Sequence, residues 1–373
     1  MRIGIDARAL SRLRTGIGNY VYGLVQRLPQ IAPEHDYFLY SDKEIGGALP
    51  DTAFRRHVDR GFGRCPGSFW LLGRGGQFAR RDKLDVFWSP AALLPLWMPE
   101  NVLTVITVYD LVWRRFPETM SMYNLWVQRM FAETAIRSCD RIIAISKSTR
   151  DDLTRLLSVP PERVNLVYPG IFEEYKIQDR CAAAEYISRK YGVSPRYMAA
   201  VGTLEPRKNL SLLVRVLQLL KRTGQLDCPL LIAGASGWRN SQLFKEVEAS
   251  GLTEQEIRFL GYLPDEDLPQ FYAGAQVFLF PSLYEGFGIP PLEAMACGTP
   301  VIASNAQPMS EVLGNAAILE PPSSAERFAE AITKVLTDEN LRSTMREQGV
   351  SRVQGFRLEA SARQLLAVLT TRA

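Results

Sequence analysis

The chain has 373 residues, 46% hydrophobic and 23% charged, with a net charge of +4. That balance is ordinary for a globular protein and excludes disordered, collagen-like and disulfide-stapled chains, and the length suits two domains of ordinary size. No run approaches the roughly 18 apolar residues of a membrane span, and five cysteines without a CxxC pair, with His35 and His57 outside any glycine loop, leave a structural zinc site, a His-based metal centre and a recognisable His triad unsupported.

The first residues, MRIGIDARAL, open on a strand from Arg2 to Asp6 in place of a signal peptide, so a cytoplasmic location is expected. A loop with Gly16 and Gly18 and a helix from about Asn19 to Leu28 follow. Further strands are expected at Tyr37 to Tyr40, Val86 to Trp88, Leu103 to Val108, Arg141 to Ile145 and Asn165 to Tyr168, with helices at Met122 to Ser138 and Lys147 to Leu157. Residues 1–170 hold 23 Lys or Arg against 17 Asp or Glu. Much of the excess lies at Arg55, Arg56, Arg60, Arg64, Arg74, Arg80 and Arg81, interleaved with Phe62, Phe69, Trp70, Leu71, Leu72 and Phe78. Such a mixture reads either as an anionic-lipid or acidic-acceptor surface or as a solvated face over core residues. No nucleic-acid-binding motif accompanies it, so no nucleic-acid partner is expected.

A polar, strand-poor connection from Pro169 to Arg196 precedes a second alternating set. Strands are expected at Tyr197 to Gly202, Leu230 to Ala233, Ile257 to Leu260, Val277 to Pro281, Val301 to Ala303 and Ala317 to Leu319. Helices fall between them at Asn209 to Arg222, Ser241 to Ser250 and Leu268 to Ala273, and from the Pro290–Pro291 pair to about Cys297. The tail from Ala325 onward is helical. The reading is α/β, with two doubly wound domains: residues 1–170, onto which a last helix at about 356–373 packs back, and residues 171–355.

Chemistry concentrates in FPSLYEGFGIPPLEAMACGTP, residues 280–300, which sets Glu285 in a loop and Glu293 on a helix. Ligands of open parallel sheets bind outside the carboxyl ends of strands, so a strand, a glycine turn and a helix N-terminus here form an anion pocket. A carboxylate beside that pocket suits neutral hydroxyls next to a phosphate, the layout of a sugar nucleotide. In VGTLEPRKN, Arg207 and Lys208 stand at the entry to a helix capped by Asn209 and are placed to neutralise a leaving diphosphate. Gly16 and Gly18 allow a close backbone approach to phosphate, but the spacing to Gly23 fails the GxGxxG pattern. Asp265, Glu266 and Asp267 spell a DxD, read as an acidic helix cap with no metal requirement.

Together these segments resemble the retaining glycosyltransferases of family 4, over nearly the whole chain. The resemblance implies the GT-B fold, two Rossmann-like domains facing a central cleft. It rests on Gly16 to Gly18, on Arg207 and Lys208, and above all on GYLPDEDLPQFYAGAQVFLFPSLYEGFGIPPLEAMACGTPVIAS with its E-x7-E pair. By that resemblance Glu285 contacts donor-sugar hydroxyls, Glu293 the ribose, and Arg207 and Lys208 the diphosphate. The amides of Phe287, Gly288 and Ile289 support sugar and phosphates, and the base lies near Gly234, Tyr262 and Leu263. The family often carries His-Asp after the strand near position 108, where this chain reads Tyr109 and Asp110; a Tyr offers a hydroxyl or its carbonyl there, without a positive charge.

The expected activity is transfer of a hexose, mannose or deoxymannose favoured, from a GDP-linked donor to a lipid-linked glycan of O-antigen or exopolysaccharide assembly, with no cofactor and a possible hold on the inner membrane surface. Two rivals share the pattern: a GT-B sugar-nucleotide epimerase, which needs no acceptor, and a non-catalytic sugar-nucleotide sensor.

Overall fold

The computed structural model describes residues 1–10, 16–46, 49–60, 66–120, 122–237 and 241–371. The chain divides into two units, Met1–Gly170 with Phe356–Ala373, and Ile171–Gly355.

The first unit is built on seven strands: β1 (Arg2–Asp6), β2 (Asp36–Ser41), β3 (Phe54–Val58), β4 (Val86–Ser89), β5 (Leu103–Val108), β6 (Arg141–Ala144) and β7 (Val164–Leu166), all parallel and ordered β3-β2-β1-β4-β5-β6-β7. Runs such as LTVITV and RIIA are apolar along their length because both faces of a parallel sheet are covered. Helix Leu358–Thr370 packs beside helix Gly16–Ile31, and Arg141 Nη1 donates to Val368 O at 2.6 Å. A Cβ at Gly170 would stand 2.2 Å from Leu358 Cα, so only glycine lets the chain pass there.

The second unit holds β8 (Met198–Val201), β9 (Leu230–Ala233), β10 (Ile257–Gly261), β11 (Phe278–Phe280), β12 (Val301–Ser304) and β13 (Ile318–Glu320), again parallel, ordered β10-β9-β8-β11-β12-β13. The amphipathic helices Leu210–Arg222 and Ala325–Thr337 bury Leu213, Leu217, Phe328 and Ile332 against the core of this sheet.

Five elements depart from the sequence reading. Strand β3 and helix Gly67–Arg81 occupy the segment read as a basic, aromatic-rich patch. Trp70, Leu71, Leu72 and Phe78 are core residues there; Arg74 and Arg81 lie over the Phe78 ring and pair with Asp59 and Asp82, and Arg55 lies over the Phe38 ring and pairs with Asp36. The side chains alternate in type because the helix is one-sided, not because aromatics face solvent. Phe62, Arg64 and Cys65 lie outside the described residues.

Helix Arg180–Tyr191 stands in the segment taken as a connection. Its signals are present, with the Asp179 carboxylate accepting from Ala182 N at 2.8 Å and Gly192 closing it at φ 62°, but it buries only Ala183, Ala184 and Ile187, too short a stripe to read. The helix expected over Met122 to Ser138 is interrupted by a π-helical stretch at Gln128–Ala132. Gly16 and Gly18 stand in the first turn of helix Gly16–Ile31 and not in a loop before it.

Candidate active site

In the second sheet the strand order reverses between β8 and β11, and the crossovers diverge there. β8 leads to Glu205 and a 3₁₀ turn at Pro206–Lys208, and β11 leads to Glu285. Leu283 N donates to Arg207 O at 2.9 Å, so the two loops are joined by backbone before any side chain is considered.

Across that junction Arg207 Nη1 donates to Glu285 Oε2 and Lys208 Nζ to Glu285 Oε1, each at 2.7 Å. Arg207 Nη1 also reaches Tyr284 O at 2.8 Å, and its Nη2 reaches Glu205 Oε1 at 2.7 Å. The Lys208 ammonium lies 5.3 Å from the centroid of the Phe280 ring. Glu285 is only 9% exposed. Burial works against its charged form, but the Arg207 guanidinium and the Lys208 ammonium outweigh burial and hold the carboxyl down at about 2. The structure therefore brings together Glu285, Arg207 and Lys208, three residues singled out from two distant motifs, and adds Glu205, which sequence reasoning missed although it stands two residues before Arg207.

Asn209 is not the side-chain cap expected of it. It sits at φ 54°, and its amide donates to Pro281 O at 3.1 Å and Pro322 O at 2.8 Å, tying the loop to its neighbours.

Phe287 is buried, and Gly288 takes the N-cap position of helix Ile289–Ala296 at φ 103°. A Cβ at Gly288 would stand 2.6 Å from Met309 Cε. The positive φ favours glycine where the chain enters the helix, since the Met309 methyl could move aside but the backbone strain would remain. Pro290 and Pro291 occupy first-turn positions, whose N–H groups have no partner within a helix.

Glu293 faces the interior of the unit, 7% exposed, and its Oε2 accepts from Tyr272 Oη at 2.8 Å. Burial pushes its carboxyl up to about 7, with Asp265 and Glu174 adding to the rise and the hydroxyls of Tyr272 and Tyr175 opposing it. Neither tyrosine was legible as part of the site.

Gly234 follows β9 directly and lies beside Gly202, and a Cβ on Gly234 would stand 1.9 Å from Gly202 O. Gly234 N donates to Gly261 O at 2.8 Å, which sets the ends of β9 and β10 side by side. Just beyond β10, Tyr262 is 46% exposed and its hydroxyl reaches Asp265 Oδ1 at 3.3 Å, while Leu263 is buried.

The acidic triplet does not act as a side-chain cap. Asp267 stands at the N-cap position of helix Leu268–Gly274, but its fully buried carboxylate accepts from Tyr186, from Lys190 at 2.8 Å and from Tyr191. Those three donors come from helix Arg180–Tyr191, so Asp267 fastens one helix to another. Among the described residues no group of three His, Cys, Asp or Glu is placed to hold a metal ion. Cys139, Cys228 and Cys297 are free and buried, and Cys181 is free and exposed on helix Arg180–Tyr191.

In the first unit, Tyr109 and Asp110 follow β5. The Tyr109 hydroxyl donates to Pro90 O at 2.8 Å, its ring meets Tyr20 edge-on at 5.6 Å, and its carbonyl accepts from the Thr149 hydroxyl at 2.9 Å. Burial, with Tyr20 and Asp6 adding to it, keeps the phenol neutral. Asp110 Oδ1 accepts from Val112 N at 3.1 Å. Gly16 is exposed and Gly18 buried.

Comparison with known proteins places this geometry. Residues 187–352 match the Glycosyl transferases group 1 family, and residues 14–175 match Glycosyltransferase Family 4. Over 291 residues the chain is 32% identical to O-antigen chain mannosyltransferase B of Escherichia coli, covering 78% of this chain and 75% of that protein. It is also 31% identical to the serotype-specific mannosyltransferase WbdA of Escherichia coli over 202 residues, 54% of this chain but only 25% of that protein. Among solved structures, WaaG, a glycosyltransferase involved in lipopolysaccharide biosynthesis, matches with a TM-score of 0.78 at 17% identity over 100% of both chains. HepE of Anabaena in complex with UDP and glucose matches with a TM-score of 0.74 at 18% identity over 99% of both chains. At such identities the structural matches speak for the fold alone. Matches to both glycosyltransferase families and a long alignment with an O-antigen enzyme agree with two parallel sheets and the clamped Glu285, and the chain belongs to the family 4 glycosyltransferases of GT-B fold.

Proposed function

We propose that the protein is a retaining hexosyltransferase that moves mannose, or a deoxymannose, from a GDP-linked donor to a lipid-linked glycan in the assembly of a bacterial surface polysaccharide. The observation that carries the reading is the clamp on Glu285, whose two carboxylate oxygens each hold one cation at 2.7 Å. Arg207 and Lys208 are thereby fixed beside a helix N-terminus before any ligand arrives, which is the preorganisation that a departing diphosphate requires. The ionised Glu285 is in turn suited to accept from donor-sugar hydroxyls.

The acceptor oxygen would bond to the anomeric carbon on the face from which the diphosphate leaves. The electrons of the breaking bond pass to the diphosphate oxygen, and the acceptor proton follows to that oxygen. No protein nucleophile takes part. The sugar is read from the relatives, since the Escherichia coli proteins aligned above are named as mannosyltransferases, and a GDP-linked donor follows from that choice. Metal independence is read from Asp267, whose carboxylate is already held by Lys190, Tyr186 and Tyr191. Activity should survive excess chelator, and a complete loss restored by magnesium would count against this point.

Contact with an anionic lipid surface would fall to the exposed Leu96, Trp97, Met122, Tyr123, Trp126 and Met130 in place of the basic patch. Among the described residues no helix is long and apolar enough to cross a membrane.

The test is a thermal-shift panel of GDP, UDP, ADP and dTDP on the wild type and Arg207→Ala. A ligand at a hundred times its dissociation constant adds about 2.7 kcal/mol of stability. Stabilisation by GDP that vanishes in the variant is the expected result. Stabilisation by another diphosphate alone would reassign the donor, and none by any of the four would overturn the transferase reading.

A further inference from the structure

Glu293 is a buried acid that forms no ion pair among the described residues, and the hydrogen bond on its carboxyl comes from Tyr272. Tyr272 is itself held firmly. Its carbonyl accepts from the Thr299 hydroxyl at 2.7 Å, and its ring meets Phe278 at 5.3 Å and Tyr175 at 6.0 Å, both edge-on. Asp267 fastens its helix, Leu268–Gly274, to helix Arg180–Tyr191. The Tyr175 hydroxyl acts on the same carboxyl. Burial, with Glu293 adding to it, keeps both phenols neutral, so each stays an O–H donor. Also facing the carboxyl are Asp265, Glu174 with the exposed Lys176 close by, and Cys297, whose thiol burial keeps neutral. Arg346 of helix Glu339–Val353 stands beside Gly298, past the end of the helix that carries Glu293. Two phenols offset only part of the cost of a buried charge, and the carboxyl titrates at about 7.

We propose that Tyr272 and Tyr175 are positioning residues that hold Glu293 as a proton-exchanging acceptor for the vicinal hydroxyls of the donor nucleoside, so that a ribonucleoside diphosphate expels the Glu293 proton to solvent as it binds. This assignment rests on the transferase reading above. A diol offers two O–H donors, which an ionised carboxylate accepts with both oxygens, whereas a carboxylic acid is the weaker acceptor. Diol and proton therefore compete for the same carboxyl, and the proton passes to the buffer when the diol binds. Cations at this position would keep the carboxylate ionised at every pH and occupy its lone pairs, as Arg207 and Lys208 do at Glu285. Neutral phenols orient the carboxylate and leave its charge to the ligand's hydroxyls. A phosphate has no such fit here, since it brings a second negative charge to an acid that burial already disfavours in ionised form.

The test is calorimetric titration of the full chain with GDP and with 2′,3′-dideoxy-GDP, at about pH 6 and about pH 8.5, in two buffers of different ionisation enthalpy. The terminal phosphate titrates alike in both ligands, so the difference between them reports Glu293. At the lower pH the wild type should release up to about one more proton with GDP than with the dideoxy ligand, and at the higher pH no more. Its preference for GDP should fall about tenfold from the higher pH to the lower. Tyr272→Phe removes a donor to the ionised form and should move the pH midpoint of that preference upward. Affinity for the dideoxy ligand should stay within about twofold, whereas a merely structural role would weaken both ligands alike and leave the midpoint in place. Tyr175→Phe should act in the same direction, and decides alone if the melting curve of Tyr272→Phe shows that it does not fold. Equal proton release by the two ligands, a preference that ignores pH, or a midpoint unmoved in the phenylalanine variants would overturn the assignment alone. Failure of GDP to bind at either pH falls on the transferase reading, and the assignment falls with it.

Discussion

Glu285 and Glu293 stand eight residues apart on one loop and helix, both buried, and their surroundings drive them in opposite directions. Two cations hold Glu285 down at about 2, while burial, with Asp265 and Glu174 adding to it, lifts Glu293 to about 7 against the hydroxyls of Tyr272 and Tyr175. One segment thus carries an ionised carboxylate, and a second that takes up a proton near neutrality. Divergent environments of this kind separate the roles of paired carboxylates.

Glu285→Gln should lower the transfer rate by about ten- to a hundredfold, the equivalent of one charge-assisted hydrogen bond. A rate equal to the wild type would remove Glu285 from the site. The variant should also change acid stability. Because the folded carboxyl lies below its unfolded value of 4.5, Glu285 stabilises the fold above that pH and loses its effect as pH falls toward about 2. Melting curves across that window should show a steeper acid loss in the wild type than in the variant.

For Glu293 the sign is reversed. The folded state holds the proton between the unfolded value of 4.5 and about 7, so its contribution is fully present below the first value and is lost as pH rises through the second. Glu293→Gln, which mimics the protonated form, should melt with the wild type at acid pH and above it at pH 8. Parallel melting profiles for the two proteins would show that Glu293 is not raised.

Tyr109→Phe removes the hydroxyl that donates to Pro90 O and leaves the backbone carbonyl held by Thr149. The expected cost is about 1 kcal/mol of stability with a transfer rate within about twofold of the wild type. A fall of about a hundredfold in rate at little cost in stability would give the hydroxyl a part in transfer.

Trp97 and Trp126 are 65% and 49% exposed. Changing both to Ser should lower binding to anionic vesicles by about tenfold or more, since each ring that enters the interface removes a large apolar area from water. Charge reversal at Arg55, Arg56 and Arg81 should matter less, because Arg55 and Arg81 are paired with carboxylates and Arg56 donates to Leu49 O. Unchanged binding in the Trp double variant would discard this surface.

The sequence by itself determined the alternation of strands and helices, because fully buried parallel strands must be short continuous apolar runs, and LLIA, LTVITV and VIAS can be little else. It also determined the loop–helix entry at Glu285, where Gly288 and the two prolines restrict the backbone locally. In the helix Gly67–Arg81 the same signals failed, because arginines are mixed with core aromatics and only packing shows which of them face water. Helix Arg180–Tyr191 had its caps but too little apolar stripe to be read. Pairings across long separations were decided only by the tertiary structure. Glu285 lies 77 residues from Lys208, and Asp267 is 77 from Lys190. The reason is that a carboxylate's state and partners depend on distance and desolvation, which chain order does not encode until strand order brings the loops together.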